Sequence, residues 1–307
     1  MTCKPIVEFL LWNDCQAHGK CAFCWQQAKH DHSKFLDDKN KIMSIKCVYN
    51  FIRDKFVRKE DGSDNEFTGN HILLVGGEIF DIDNVIVKNE LMYLIDYITE
   101  RMNKKEIDLL YINTNLLYTD LSTLLYLLNK IQENKLFDRL RFTTSWDLAG
   151  RFDIEEKKDV FDKNIKYIKK AYPDIHIVVN SILTKQYCEK VIENPNFVKD
   201  FQEKYDVQVN TIPYIVLTDW LAPTKGQVMK ALLSINSVIH GYIEKYVTNF
   251  SLPQPKLLYE YNSIDKDLIY CSSDIDSCGH SENFKNYCTD SKACYICDIK
   301  KLLSKMD

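Results

Sequence analysis

Six times in succession, up to about residue 247, an apolar run of strand length is followed by a segment with helical spacing. The runs are residues 6–12, 71–75, 109–114, 140–145, 175–183 and 207–212. The helical segments cover about 40–57, 85–103, 120–134, 154–171, 186–205 (broken at Pro195) and 225–247, with Asp83 or Asn84 at the N-cap position of the second. Parallel neighbours need crossover connections, so strict alternation implies a parallel sheet covered by helices. Right-handed crossovers bring the C-terminal end of every strand to one side. Six units are too few for the closed eight-unit barrel, and in barrels chemistry gathers at the C-terminal strand ends. The expected fold class is therefore α/β: an open, partial (β/α)6 TIM-like barrel over residues 1–250. A small cysteine-rich extension is expected over 251–307.

The polar residues of interest fall after these strands. Cys15, Cys21 and Cys24 follow the first strand in a compact, Gly- and Lys-containing loop, spaced C-x5-C-x2-C. Three thiols delivered on one loop suit an iron–sulfur cluster or zinc, because soft sulfur ligands select those centres. Without a fourth protein ligand, one metal corner is left for an exchangeable partner. Eleven cysteines in all fall mainly at 15–24 and 271–297, while Cys3, Cys47 and Cys188 stand apart and read as packing residues. His30 and His32 read as solvated loop residues. No apolar run reaches roughly 18 residues, so no transmembrane helix is expected and no membrane partner. The first residues lack the pattern of a signal peptide. A reducing, cytoplasmic setting follows, where clustered cysteines mean metal or redox chemistry before disulfides. A net charge of -4 provides no general field for nucleic acid, though it does not preclude a local basic groove.

In this arrangement the chain resembles the radical S-adenosylmethionine (SAM) superfamily. The usual signature there is C-x3-C-x-aromatic-C; here Phe23 holds the aromatic position and five residues separate the first two cysteines. Gly76-Gly77-Glu78 after the second strand is similar to the family's Gly-Gly-Glu motif, with Ile79 where Pro is common. There, backbone carbonyls and the carboxylate hold the amino group of the methionine part of SAM. Thr144-Ser145-Trp146-Asp147 after the fourth strand resembles the ribose-binding element, through Ser145 and Asp147. Arg151 is suited to pair with the SAM carboxylate. Asn180 in the fifth strand and Pro213 after the sixth fall where the family contacts ribose and adenine. The resemblance spans roughly residues 4–215. It implies a 4Fe–4S cluster on Cys15, Cys21 and Cys24, with SAM on the fourth iron. One electron from a donor such as flavodoxin or ferredoxin then splits SAM into methionine and a 5′-deoxyadenosyl radical, which takes hydrogen from a substrate. No residue stands out as a catalytic acid or base.

Cys271, Cys278, Cys288, Cys294 and Cys297 crowd the C-terminal extension, and the last three repeat the C-x5-C-x2-C spacing. A segment this short and polar needs a metal staple, either a second iron–sulfur cluster or a structural zinc. The placement resembles the SPASM or twitch extensions of radical SAM enzymes that modify peptides and proteins, which makes a peptide or protein the expected substrate. Radical modification of a nucleotide or nucleic acid is the alternative. A non-catalytic zinc-binding protein is the reading from another class.

Overall fold

The structure, a computed structural model, describes residues 6–12, 15, 37–146, 148, 155–212, 221–246, 258–262 and 267–271. The six expected strands are present: β1 (Ile6–Leu10), β2 (Asn70–Val75), β3 (Ile107–Thr114), β4 (Leu140–Trp146), β5 (Ile177–Ile182) and β6 (Gln208–Ile212). All five pairings among them are parallel, in the unbroken order β6-β5-β4-β3-β2-β1. A doubly wound sheet reverses its strand order at a switch point. This one does not, so the chain winds in one direction across the sheet. Between the strands run α1 (Asp38–Lys55), α2 (Val85–Asn103), α3 (Ser122–Glu133), α4 (Glu155–Ala171), and the pair α5 (Lys185–Glu193) and α6 (Phe197–Tyr205).

The sequence explains the helix ends. Asp37 caps α1 by accepting from Asn40 N–H at 2.8 Å, and Asn84 caps α2 by accepting from Ile86 N–H at 2.8 Å. Lys105, Lys135 and Asp206 take left-handed backbone angles just past α2, α3 and α6, a position glycine usually fills. After β6 the expectation of one long helix over 225–247 is corrected. The chain forms α7 (Lys225–Val238), opened by a capping box between Thr224 and Gln227, and then a separate α8 (Tyr242–Tyr246). Gly241, at φ +72°, makes the break between them.

The sheet also extends beyond the six strands. β7 (Leu258–Asn262) pairs parallel with β1, and β8 (Asp267–Cys271) pairs antiparallel with β7. The alternating Leu-Tyr-Glu-Tyr-Asn of β7 has the period of a strand, but it belongs to no strand–helix unit and was expected only as part of the extension. β7 covers the β1 edge of the parallel sheet, which would otherwise present unpaired backbone groups.

Alternate residues of each strand form the core. Ile72, Leu74, Leu110, Ile112, Phe142, Ile177, Val179 and Val209 are almost wholly buried. Trp146 continues that face and packs on Phe197 and Phe201 of α6, with ring centroids 5.1 and 4.2 Å away. Cys47 and Cys188 are buried among such residues, as packing cysteines should be. The opposite face carries Thr143, Ser145, Asn180, Gln208 and Asn210, all half-buried. Among the described residues, no helix is long and apolar enough to cross a membrane.

Ile112, fully buried in the middle of the sheet, should be far less tolerant than a cap. We expect Ile112→Ala to lower unfolding free energy by about 2–5 kcal/mol and Thr224→Ala by about 1 kcal/mol, measured by urea denaturation.

Candidate functional site

At the C-terminal end of β1 the chain is tied down from two sides before it reaches Cys15. Ser44 of α1 donates its hydroxyl hydrogen to Leu11 O at 2.6 Å. Gly77 N–H donates to Trp12 O at 2.8 Å, and Trp12 Nε1–H donates to Glu78 O at 3.2 Å. The turn after β2 and the start of the cysteine loop are thus one bonded unit. Gly76 permits this approach. A Cβ placed there would lie 2.6 Å from Trp12 O and 2.8 Å from Ile79 Cγ2.

Glu78 is 2% exposed, and its side chain faces inward onto protein partners. Asn115 N–H donates to Oε2 at 2.6 Å and Phe80 N–H to Oε1 at 3.3 Å. The Thr114 hydroxyl donates to Oε1 at 3.0 Å while its oxygen lies 3.0 Å from the Tyr118 hydroxyl. Burial pushes the Glu78 carboxyl up to about 7, against the pull of the Asn115 and Phe80 amides and the Thr114 hydroxyl. The carboxylate expected to meet a ligand therefore ties the end of β2 to the end of β3.

Asn115 is the residue that sequence reasoning missed. It follows β3, is 7% exposed, and its side-chain amide donates from Nδ2 to Cys15 Sγ at 3.4 Å. Nothing in the local sequence marks it; the signal exists only once β1 and β3 are known to end side by side around β2.

On the half-exposed face, strand register sets Ser145 beside Asn180 and Asn180 beside Asn210. Two expected ribose contacts are hence brought together, and Asn210 joins them as a third polar group that no motif indicated. Gln208 Nε2–H donates to Asn210 Oδ1 at 2.5 Å. Ser145 and Asn180 sit in the C-terminal halves of β4 and β5 and Asn210 at the middle of β6; Cys15 and the Gly76-Gly77-Glu78 turn follow the C-terminal ends of β1 and β2.

Of the remaining expected site residues, Cys271 ends β8, opposite Leu258 in register. Phe23, Cys21, Cys24, Asp147, Arg151, Pro213, Cys278, Cys288, Cys294 and Cys297 lie outside the described residues, as do His30, His32 and Cys3. Among the described residues, no group of three His, Cys, Asp or Glu side chains is gathered to hold a metal. Compared with known proteins, the chain matches no family model and no curated protein.

Two outcomes follow from this geometry. Gly76→Ala should lower stability by about 1–3 kcal/mol, because the added Cβ meets a backbone oxygen that cannot turn aside; urea denaturation measures it. The folded protein holds the Glu78 proton more tightly than the unfolded chain, so stability should fall as pH rises from about 4.5 to about 7. The loss attributable to Glu78 should be about 3 kcal/mol, and it should vanish in Glu78→Gln. Asp81, pushed up to about 6 mainly by burial, adds a slope in the same direction to both proteins.

Proposed function

We propose that this chain is a radical SAM enzyme, built on an open partial (β/α)6 barrel. One observation carries the reading. The Cys15 loop and the Gly76-Gly77-Glu78 turn follow adjacent parallel strands and are joined there by the Gly77–Trp12 and Trp12–Glu78 hydrogen bonds. The in-register Ser145, Asn180 and Asn210 on the same side of the sheet give it a second support.

The donor set suits the cofactors. Cys15 follows β1 and has an amide N–H directed at its sulfur, a contact that suits a metal-ligating sulfur. Cys15, Cys21 and Cys24 would hold a 4Fe–4S cluster. When bound, the cluster supplies the single electron that cleaves SAM into methionine and the 5′-deoxyadenosyl radical.

The chain's own contribution is orientation. With the Glu78 carboxylate committed to the ends of β2 and β3, recognition of the SAM amino group falls to the backbone of the Gly76-Gly77 turn, where the absence of side chains allows close approach. Ser145 and Asn180, with Asp147, Arg151 and Pro213, would hold the ribose, carboxylate and adenine. Fixing all parts of SAM restricts where a reactive fragment can go, which is the main task of a protein around such a cofactor. The five cysteines from Cys271 onward would take a second iron–sulfur cluster or zinc, beginning where β8 ends beside β7. Their placement in an extension resembling SPASM or twitch supports a peptide or protein as substrate. The setting would be cytoplasmic, with a flavodoxin or ferredoxin as electron donor.

Protein reconstituted anaerobically with iron and sulfide should be brown. With dithionite and SAM it should release 5′-deoxyadenosine, read by liquid chromatography, and Cys24→Ala should abolish the release. A colourless protein that holds zinc and leaves SAM intact under these conditions would overturn the proposal.

A further inference from the structure

The contact between Asn115 and Cys15 has a fixed direction. An amide side chain is ambiguous only when either end fits its surroundings. Here Asn115 Oδ1 accepts from Leu117 N–H at 2.8 Å, which obliges Nδ2 to be the end facing Cys15 Sγ at 3.4 Å. The backbone is held as firmly. Asn115 N–H is bound to Glu78 Oε2, and Asn164 Nδ2 donates to Leu116 O at 3.0 Å and to Tyr118 O at 2.8 Å. Between these ties Leu116, a bulky residue, takes a φ of +57°. A left-handed conformation at a branched side chain persists only where its surroundings over-determine it. The turn that aims Asn115 at the sulfur is thus braced from Glu78 on one side and from Asn164 on the other.

We propose that Asn115 is a positioning residue for the metal centre, donating an N–H···S hydrogen bond to the Cys15 ligand sulfur and thereby raising the reduction potential of the bound cluster. The proposal rests on the reading of Cys15 as a ligand. A donor to a ligand sulfur stabilises the more negative, reduced state more than the oxidised one, and hydrogen bonds to sulfur are among the factors that set the potentials of iron–sulfur centres. Glu78 acts one step further back, by holding the Asn115 amide in place.

The test compares wild type with Asn115→Ala and with Asn115→Asp, which keeps an acceptor for Leu117 N–H and so preserves the turn. In reconstituted protein we expect unchanged iron content and a reduction equilibrium shifted up to tenfold toward the oxidised cluster, a fall of up to about 59 mV in midpoint potential. In parallel, each protein is loaded with Co(II) alone, and the thiolate-to-cobalt absorption band should move to lower energy in both variants. Unchanged potential with an intact cluster would overturn the proposal, as would loss of iron from a folded variant, since a tuning contact does not hold the metal. Should wild type assemble no iron–sulfur cluster, the radical SAM reading fails and the cobalt band alone decides: a shift supports the contact, whereas no shift, or no cobalt bound, overturns it.

Discussion

A carboxyl group with 2% of its surface exposed is costly to bury, and three hydrogen-bond donors offset part of that cost at Glu78. Its donors come from the residues after β2 and from the end of β3. The group can be satisfied only when those two strand ends lie at one separation. Its own backbone oxygen is meanwhile taken by the Trp12 indole from β1. Three consecutive strands of the sheet are thereby indexed to each other at their C-terminal ends, where small displacements would matter most to a bound ligand. Tyr118, buried beside the group and with its hydroxyl pushed well up by burial, stays neutral and completes the network through Thr114.

The two ends of the sheet are built from different chemistry. At the N-terminal end, Arg101 pairs with Glu106 at 3.1 Å in near-complete burial, and Arg139 donates to the carbonyls of Met102, Ile107 and Asp108 around the start of β3. Long guanidinium side chains close that end with many donors per residue. Toward the C-terminal end, apart from the committed Glu78, the strands themselves carry short polar side chains: Thr114, Ser145 and Asn180. Short groups on rigid strands lose little freedom when they bind something, which is the property a ligand site needs and a structural clamp does not.

The strand–helix alternation was readable because burial on the covered face imposes its own period. β5 reads Ile177-Val178-Val179-Asn180-Ser181-Ile182, and each alternate residue from Ile177 is buried. Strand order also followed, since strands consecutive in sequence and joined by a single crossover tend to be neighbours in the sheet. What could not be read was anything decided by contact across the sheet. The break before α8 depends on the backbone angle of Gly241, and the pairing of β7 with β1 joins residues some 250 positions apart, such as Val7 with Tyr259. Gly76-Gly77-Glu78 was legible as a motif, yet the direction of its carboxylate was not. That depends on donors from Thr114 and Asn115, which sequence alone leaves without a partner.

This last difference bears on how the Gly-Gly-Glu turn works. A carboxylate serving a ligand directly must be exposed enough to be reached, and its partners inside the protein must be few enough to give up. Glu78 meets neither condition, because releasing it would strand the Asn115 and Phe80 amides and the Thr114 hydroxyl in a buried site. Its contribution is better understood as shape. By holding the turn and the end of β3 against each other, it sets where the Gly76-Gly77 backbone lies and where the Asn115 amide points. The Gly76-Gly77 turn is bonded to Trp12 and the Asn115 amide to Cys15, so one buried acid fixes two features at the C-terminal end of β1.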